Sequence, residues 1–80
     1  MPLVFRQDGY RVFFYSNEGN PREPAHVHVM SAGQEAKFWL RPDVVLADSK
    51  GADARALRRM AEIVEARREE IERAWNDHFR

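Results

Sequence analysis

The sequence predicts an α+β domain, with an antiparallel meander sheet of four or five strands packed on one face by a single long C-terminal helix. Residues up to about 48 are rich in aromatic and β-branched residues and are broken by turn formers, which is typical of strands. The residues that follow are rich in Ala, Arg and Glu and place apolar residues at helical spacing. Eighty residues make one domain, residues 1–80, with strands over about 3–47 and the helix over about 53–79.

The strands are predicted in chain order. "PLVF" starts a short strand and "QDG" is a turn signal, after which Tyr10–Ser16 is dense in β-forming residues. "AHVHVM" alternates strictly, and "SAGQ" is a hairpin-type turn that leads into the strand "EAKFWLR". "PDVVLA" predicts a last, shorter strand with Pro42 at its start, where the missing N–H does least harm.

Asp53 is the best N-cap residue for the helix, because its carboxylate suits the free N–H groups of a first turn. The apolar positions fall mainly on one stripe: Leu57, Met60, Ile63, Val64, Ile71, Ala74, Trp75 and His78. Arg55, Arg58 and Arg59 lie in the first two turns, where their charge opposes the helix dipole. They are expected to meet an acidic loop, a partner or a phosphate, or else to form an ordinary solvated face.

The helix must bury its stripe on one sheet face, so the two-residue period of the strands sorts their side chains. The residues predicted under the helix are Val12, Phe14, Val27, Val29, Phe38 and Leu40. The opposite surface, called the histidine face below, is predicted to carry Arg11, Phe13, Tyr15, His26, His28, Lys37 and Trp39. This set is too aromatic for idle solvent surface and too polar for core, which indicates a ligand or partner surface.

Composition narrows the function classes. Thirteen basic and thirteen acidic residues cancel, so a nucleic-acid site would need spatial sorting of charge. The chain has no cysteine, which excludes disulfides and thiolate zinc sites. No apolar run approaches the roughly 20 residues that span a bilayer, and the N-terminus lacks a signal-peptide pattern, so we expect a cytoplasmic protein without membrane contact.

The order "GYRVFFYSNEGN", "EPAHVHV", "EAKFWL" and "AWNDHF" resembles the small bacterial proteins grouped as domain of unknown function 4160. The usual family block is closer to Pro-Pro-His-Val-His; here Ala25 replaces the second proline, while Pro24, His26 and His28 stand. The resemblance implies a short cytoplasmic protein, often encoded beside another small protein in an arrangement like that of a toxin–antitoxin pair.

The favoured hypothesis is a binding module, in which the histidine face docks the small protein encoded nearby. Its predicted binding residues are Arg11, Phe13, Tyr15, Glu18, Lys37 and Trp39. RNA or DNA are further partner classes, and a homodimer contact would stabilise so small a domain.

Two chemical hypotheses stand beside it. In a ribonuclease, His26 and His28 would act as the catalytic acid–base pair, Arg11 or Lys37 would stabilise the phosphorane, and Tyr15 and Trp39 would stack bases. In a metal protein, His26 and His28 would ligate a divalent ion, with a third ligand from Glu18, Glu23 or Glu35. The alternative without function is a half-buried strand whose imidazoles bond to Glu35 or to the backbone.

Overall fold

The computed structural model describes residues 3–15 and 23–79. The strands are β1 (Leu3–Gln7), β2 (Tyr10–Phe13), β3 (His26–Ser31), β4 (Gln34–Trp39) and β5 (Val45–Lys50). They form one antiparallel sheet in the order β1-β2-β3-β4-β5, followed by α1 (Ala54–Ala66) and α2 (Arg68–His78). This confirms the predicted α+β meander.

The two tight hairpins join β1 to β2 and β3 to β4. Both central residues of each turn have positive φ: 52° at Asp8 and 82° at Gly9, then 42° at Ala32 and 82° at Gly33. Turns of this kind match the right-handed twist of paired strands and hold their register. The turns predicted at "QDG" and "SAGQ" are therefore confirmed.

The core lies between the sheet and the two helices. All six residues predicted under the helix are buried there, and Phe5 and Ala36 join them from β1 and β4. The helices contribute five residues of the predicted stripe: Met60, Ile63, Val64, Ile71 and Trp75. The sequence did not distinguish these fully buried residues from the partly buried members of the stripe. Alternation along the strands thus located most of the sheet side of the core.

The prediction of a single long helix was wrong, because the chain leaves helical geometry at Arg67, with φ −120° and ψ 25°. Arg67 occupies the position of the apolar stripe between Val64 and Ile71, so it would face the core in a continuous helix. Its guanidinium instead lies 3.4 Å from the centroid of the Phe5 ring and donates to Gln7 and to Glu70. We attribute the break to these contacts, because they give the charged guanidinium of Arg67 an aromatic ring and hydrogen-bond acceptors at the edge of the core.

The bounds of two strands differ most from the prediction. The β2 strand ends at Phe13 rather than Ser16, and Ser16 itself lies outside the described residues. The last strand was predicted over "PDVVLA" but runs from Val45 to Lys50, because it pairs along the length of β4 from Trp39 back to Glu35. The register of the partner strand, rather than local propensity, carries the polar residues Asp48 to Lys50 into the sheet.

The helix N-cap was predicted correctly: Asp53 accepts a hydrogen bond of 2.8 Å from the backbone N–H of Ala56. Neither of the helices described here has the length and hydropathy that crossing a membrane requires.

Candidate functional site

The strand register arranges the histidine face in rows that run across the sheet, because directly paired antiparallel residues point to the same side. The first row is Arg6, Arg11, Met30, Glu35 and Lys50. The second row is Leu3, Phe13, His28, Lys37 and Asp48. The third row is His26, Trp39 and Val45. The charged groups therefore all lie in the first two rows, and the third row is aromatic and apolar apart from His26.

His28 lies at the centre of this face and is only 6% exposed. The Phe13 ring stacks beside it at 5.5 Å, and the Tyr15 ring meets it edge-on at 4.6 Å. Its Nδ1 is 3.8 Å from Oε2 of Glu35, and the Tyr15 hydroxyl donates to the same carboxylate oxygen at 3.5 Å. The imidazole is thus held by aromatic rings and has a carboxylate near one ring nitrogen.

His26 is fully buried where the sheet meets α2. Its Nδ1 lies 2.9 Å from the carbonyl oxygen of Pro24, which positions Nδ1 to donate and fixes the ring orientation. The ring contacts Trp39 at 5.6 Å and Trp75 of α2 at 4.8 Å. His26 therefore packs between the histidine face and the helix layer, a contact that the alternation of β3 did not predict.

The two imidazoles are close to each other, with ring centroids 5.4 Å apart at an interplanar angle of 84°. The two histidines therefore belong to one cluster, but their rings are buried inside the protein and are not exposed on the sheet surface. His26 makes the backbone hydrogen bond that the alternative without function describes, whereas His28 lies 3.8 Å from Glu35, beyond hydrogen-bond distance.

Lys37 and Trp39 form the outer rim of the histidine cluster. The Lys37 Nζ lies 4.5 Å from the centroid of the Trp39 ring and 3.4 Å from Oε1 of Glu23. Both side chains are half-buried, so the rim combines an aromatic ring with a paired charge at the surface. Such a combination suits contact with a partner.

The margins of the histidine face carry exposed apolar side chains. Leu3 is 48% exposed and Val45 is 52% exposed, at opposite margins of the sheet. Leu46, which is 43% exposed, pairs with core residue Phe38 and so points to the helix-facing side. These three are the exposed large hydrophobic residues in the part of the chain that the structure describes, and two of them belong to the histidine face.

A shallow cleft of about 150 Å³ opens beside His28, between β4 and β5. Its lining residues are His28, Glu35, Ala36, Lys37, Asp48, Ser49 and Lys50. An imidazole, two carboxylates and two ammonium groups therefore share one small depression. The cleft gives His28, and not His26, a path to a small solute.

For the metal hypothesis, residues 3–15 and 23–79 contain no group of three or more His, Cys, Asp or Glu side chains that could hold a metal ion. Glu23 pairs with Lys37, and Glu35 lies beside Tyr15 and His28. Glu18, predicted both as a binding residue and as a ligand, lies outside the described residues.

One of the three arginines in the first two turns of α1, Arg59, has an acidic partner in the structure. Arg59 forms an ion pair with Asp8 of the β1–β2 turn, and it also contacts Glu62 one turn further along the helix. Hydrogen bonding from its guanidinium to Asp8 raises the pKa of Arg59 above its ordinary value. The expected acidic loop is therefore the β1–β2 turn.

The structure adds residues to this face that the sequence reasoning did not select. Arg6, Met30 and Lys50 lie in the same row as Arg11. Alternation along β3 would have placed Met30 on the same side as His28, because the two are separated by two positions. Lys50 was not assigned to the face, because the predicted last strand "PDVVLA" ends before it.

A family model described as a domain of unknown function (DUF4160) matches residues 9–76. The chain belongs to this family. The match begins in the β1–β2 turn and ends in α2, so it includes β3, β4 and both histidines. A comparison of the DUF4160 chain with curated proteins and with solved structures found no match.

Proposed function

We propose that this DUF4160 chain is the binding component of a cytoplasmic, toxin–antitoxin-like module of two small proteins. Its partner is the small protein encoded nearby, and the histidine face is the surface that receives it. The observation that carries the proposal is the position of Leu3 and Val45, two half-exposed apolar residues at the margins of a face whose rim is Trp39 and Lys37.

The side chains on this face are those that protein interfaces favour. Aromatic residues, methionine and arginine are enriched at interface centres, and Trp39, Tyr15, Met30 and Arg11 are all half-buried there. Half-buried rings are already held in place, so covering them costs little side-chain entropy. The sheet is five strands wide, about 19 Å from β1 to β5 at the usual strand spacing.

The buried histidines suit this function in a particular way. The contacts of His28 with Phe13 and Tyr15 build a rigid aromatic layer directly beneath the surface. The contacts of His26 tie Trp39 on the rim to Trp75 in the helix layer. In this proposal, the pair preorganises the binding surface instead of touching the partner.

The proposal is tested by mixing the purified chain with the purified product of the neighbouring gene and measuring the mass of the complex by light scattering. Amide chemical-shift mapping then locates the contact. We expect a stable heteromeric complex, with shifts concentrated in the five strands of the sheet. A mixture that stays as two separate species, or shifts confined to the outer faces of α1 and α2, would reject the proposal.

A metal-independent ribonuclease is the second candidate, and the cleft beside His28 favours it. His28 would take the proton of the attacking 2′-hydroxyl and return it to the leaving 5′-oxygen, with Glu35 beside its Nδ1 stabilising the imidazolium between the two transfers. Lys37 or Lys50 would stabilise charge on phosphorus. His26 would support His28 by packing, since its own ring is fully buried.

This candidate is tested by RNA cleavage with and without EDTA, using the wild type, His28→Gln and the matched cleft variant Asp48→Asn. Cleavage that resists EDTA and disappears in His28→Gln would support it. Cleavage that persists in His28→Gln, or none in the wild type, would reject it. Loss with EDTA would instead favour the metal hypothesis with His26 and His28 as ligands.

A further inference from the structure

Two arginines face each other across the first hairpin. Arg6 of β1 and Arg11 of β2 are direct cross-strand partners and point to the same side of the sheet. Cα atoms of such partners are about 4.5–5.5 Å apart, so the two long side chains are able to reach one common ligand. Like charges in this position repel each other and destabilise the hairpin.

The neighbouring carboxylates are engaged elsewhere. Asp8, which belongs to the same hairpin, pairs with Arg59 of α1. Glu35, the acidic residue in the same row, lies beside Tyr15 and His28. Within the described ranges, neither Arg6 nor Arg11 forms an ion pair with a carboxylate.

Among residues 3–15 and 23–79, the Arg11 side chain makes one hydrogen bond, and it is weak. Its Nη2 lies 3.0 Å from the sulfur of Met30, and a thioether sulfur is a poor acceptor. That contact lays the side chain along the sheet, while Arg6 is exposed. A depression of about 340 Å³ opens beside the two arginines and is lined by Arg6, Gly9, Tyr10 and Arg11.

We propose that Arg6 and Arg11 form a binding site for a phosphate group. A guanidinium fork binds phosphate oxygens in pairs, and a phosphomonoester carries a charge of about −1.5 to −2 at pH 7. That charge matches two guanidinium groups better than the single charge of a carboxylate. The group comes either from a small phosphate compound or from the terminal phosphate of a nucleic acid, and the site does not depend on the proposed partner protein.

The test measures binding by amide chemical shifts with three probes: inorganic phosphate, a short 5′-phosphorylated single-stranded oligonucleotide, and the same oligonucleotide with a 5′-hydroxyl. The variant is Arg6→Gln/Arg11→Gln. The matched control is Arg55→Gln/Arg58→Gln, which removes two exposed arginines from α1 instead of from the hairpin. Thermal melts and amide spectra establish that both variants are folded.

We expect saturable shifts at Arg6, Gly9 and Arg11 when phosphate is added. The phosphate affinity should fall about tenfold or more in Arg6→Gln/Arg11→Gln and by less than about twofold in the control. The variant Arg6→Lys/Arg11→Lys keeps the charge but loses the guanidinium forks, so its phosphate affinity should lie between those of the wild type and Arg6→Gln/Arg11→Gln. It replaces Arg6→Gln/Arg11→Gln in the test if that variant does not fold.

Preference for the 5′-phosphorylated oligonucleotide identifies a nucleic-acid terminus as the source. Inorganic phosphate binding without that preference identifies a small phosphate compound. The proposal is overturned if phosphate produces no saturable shift at the hairpin, or if both pairs of substitutions weaken binding equally, since that indicates diffuse charge attraction.

Discussion

Substitution of Val45 by Asp tests the proposed partner surface at its most exposed apolar point. Full burial of a valine side chain contributes about 1.5–3 kcal/mol, and Val45 is 52% exposed, so partner contact removes about half of that from water, or roughly 1 kcal/mol. An aspartate there also buries an unpaired carboxylate, which adds about 1–3 kcal/mol. Together these predict a rise in Kd of about 30- to 800-fold.

The assay is isothermal titration calorimetry between the chain and the purified product of the neighbouring gene. Leu46→Asp is the matched control, because Leu46 is the next residue of the same strand, is 43% exposed and points to the helix-facing side. Each substitution replaces a half-exposed apolar side chain of an edge strand with a carboxylate, so each should lower folding stability by about 1–2 kcal/mol, and thermal melts establish that both variants are folded.

We expect Leu46→Asp to bind within about threefold of the wild type, which corresponds to less than 1 kcal/mol. Unchanged binding by a folded Val45→Asp variant would refute the assignment of the surface. Equal loss in both variants would show that the partner pairs with the β5 edge itself and not with the histidine face.

Three further predictions concern the parts of the fold that support the two proposed sites. His26→Ala should lower stability by about 2–4 kcal/mol in urea unfolding, since it removes a fully buried ring and its bond to a carbonyl; an unchanged midpoint would mean that the cluster is not structural. Asp53→Ala should cost about 1 kcal/mol in the same assay through loss of the N-cap, while Asp43→Ala, also exposed, should cost almost nothing; equal effects would contradict the cap. Arg6→Gln should raise the melting temperature by about 1–5 °C because it relieves repulsion across the hairpin, and a lower melting temperature would contradict that repulsion.

Much of the helix-facing core follows from the sequence. Val27 and Val29 alternate with the histidines, and Val12 and Phe14 alternate with Phe13, so one face of each strand is apolar. A sheet of this size needs a cover for that face, and the stripe that ends with Trp75 provides it. Local period therefore predicted which side of the sheet is buried.

The candidate site was less predictable because both sides of its strands are buried. Phe13 is as inaccessible as Val12, and His26 as Val27, although alternation assigned them to opposite sides. Tyr15 and Trp39 cover one histidine each, and Trp75 reaches His26 from α2. Such coverage depends on rings from distant parts of the chain, which a two-residue period does not encode.

The break at Arg67 has a similar origin. No glycine or proline marks it, and Ala66 and Arg68 are ordinary helix residues. Arg67 contacts the Phe5 ring and the Gln7 amide, which lie about sixty positions earlier in the chain and meet Arg67 only after folding.

The sequence by itself determined the α+β class, the two tight turns, the N-cap and the apolar side of the sheet, because each depends on residues within a few positions of one another. Only the tertiary structure decided the extent of β5, the break at Arg67 and the surroundings of His26 and His28. The ion pair between Asp8 and Arg59, which joins the first hairpin to α1, was also decided by the tertiary structure. These features are contacts between segments that are distant in the chain, and the free energy of such contacts is set by the packed fold rather than by local pattern.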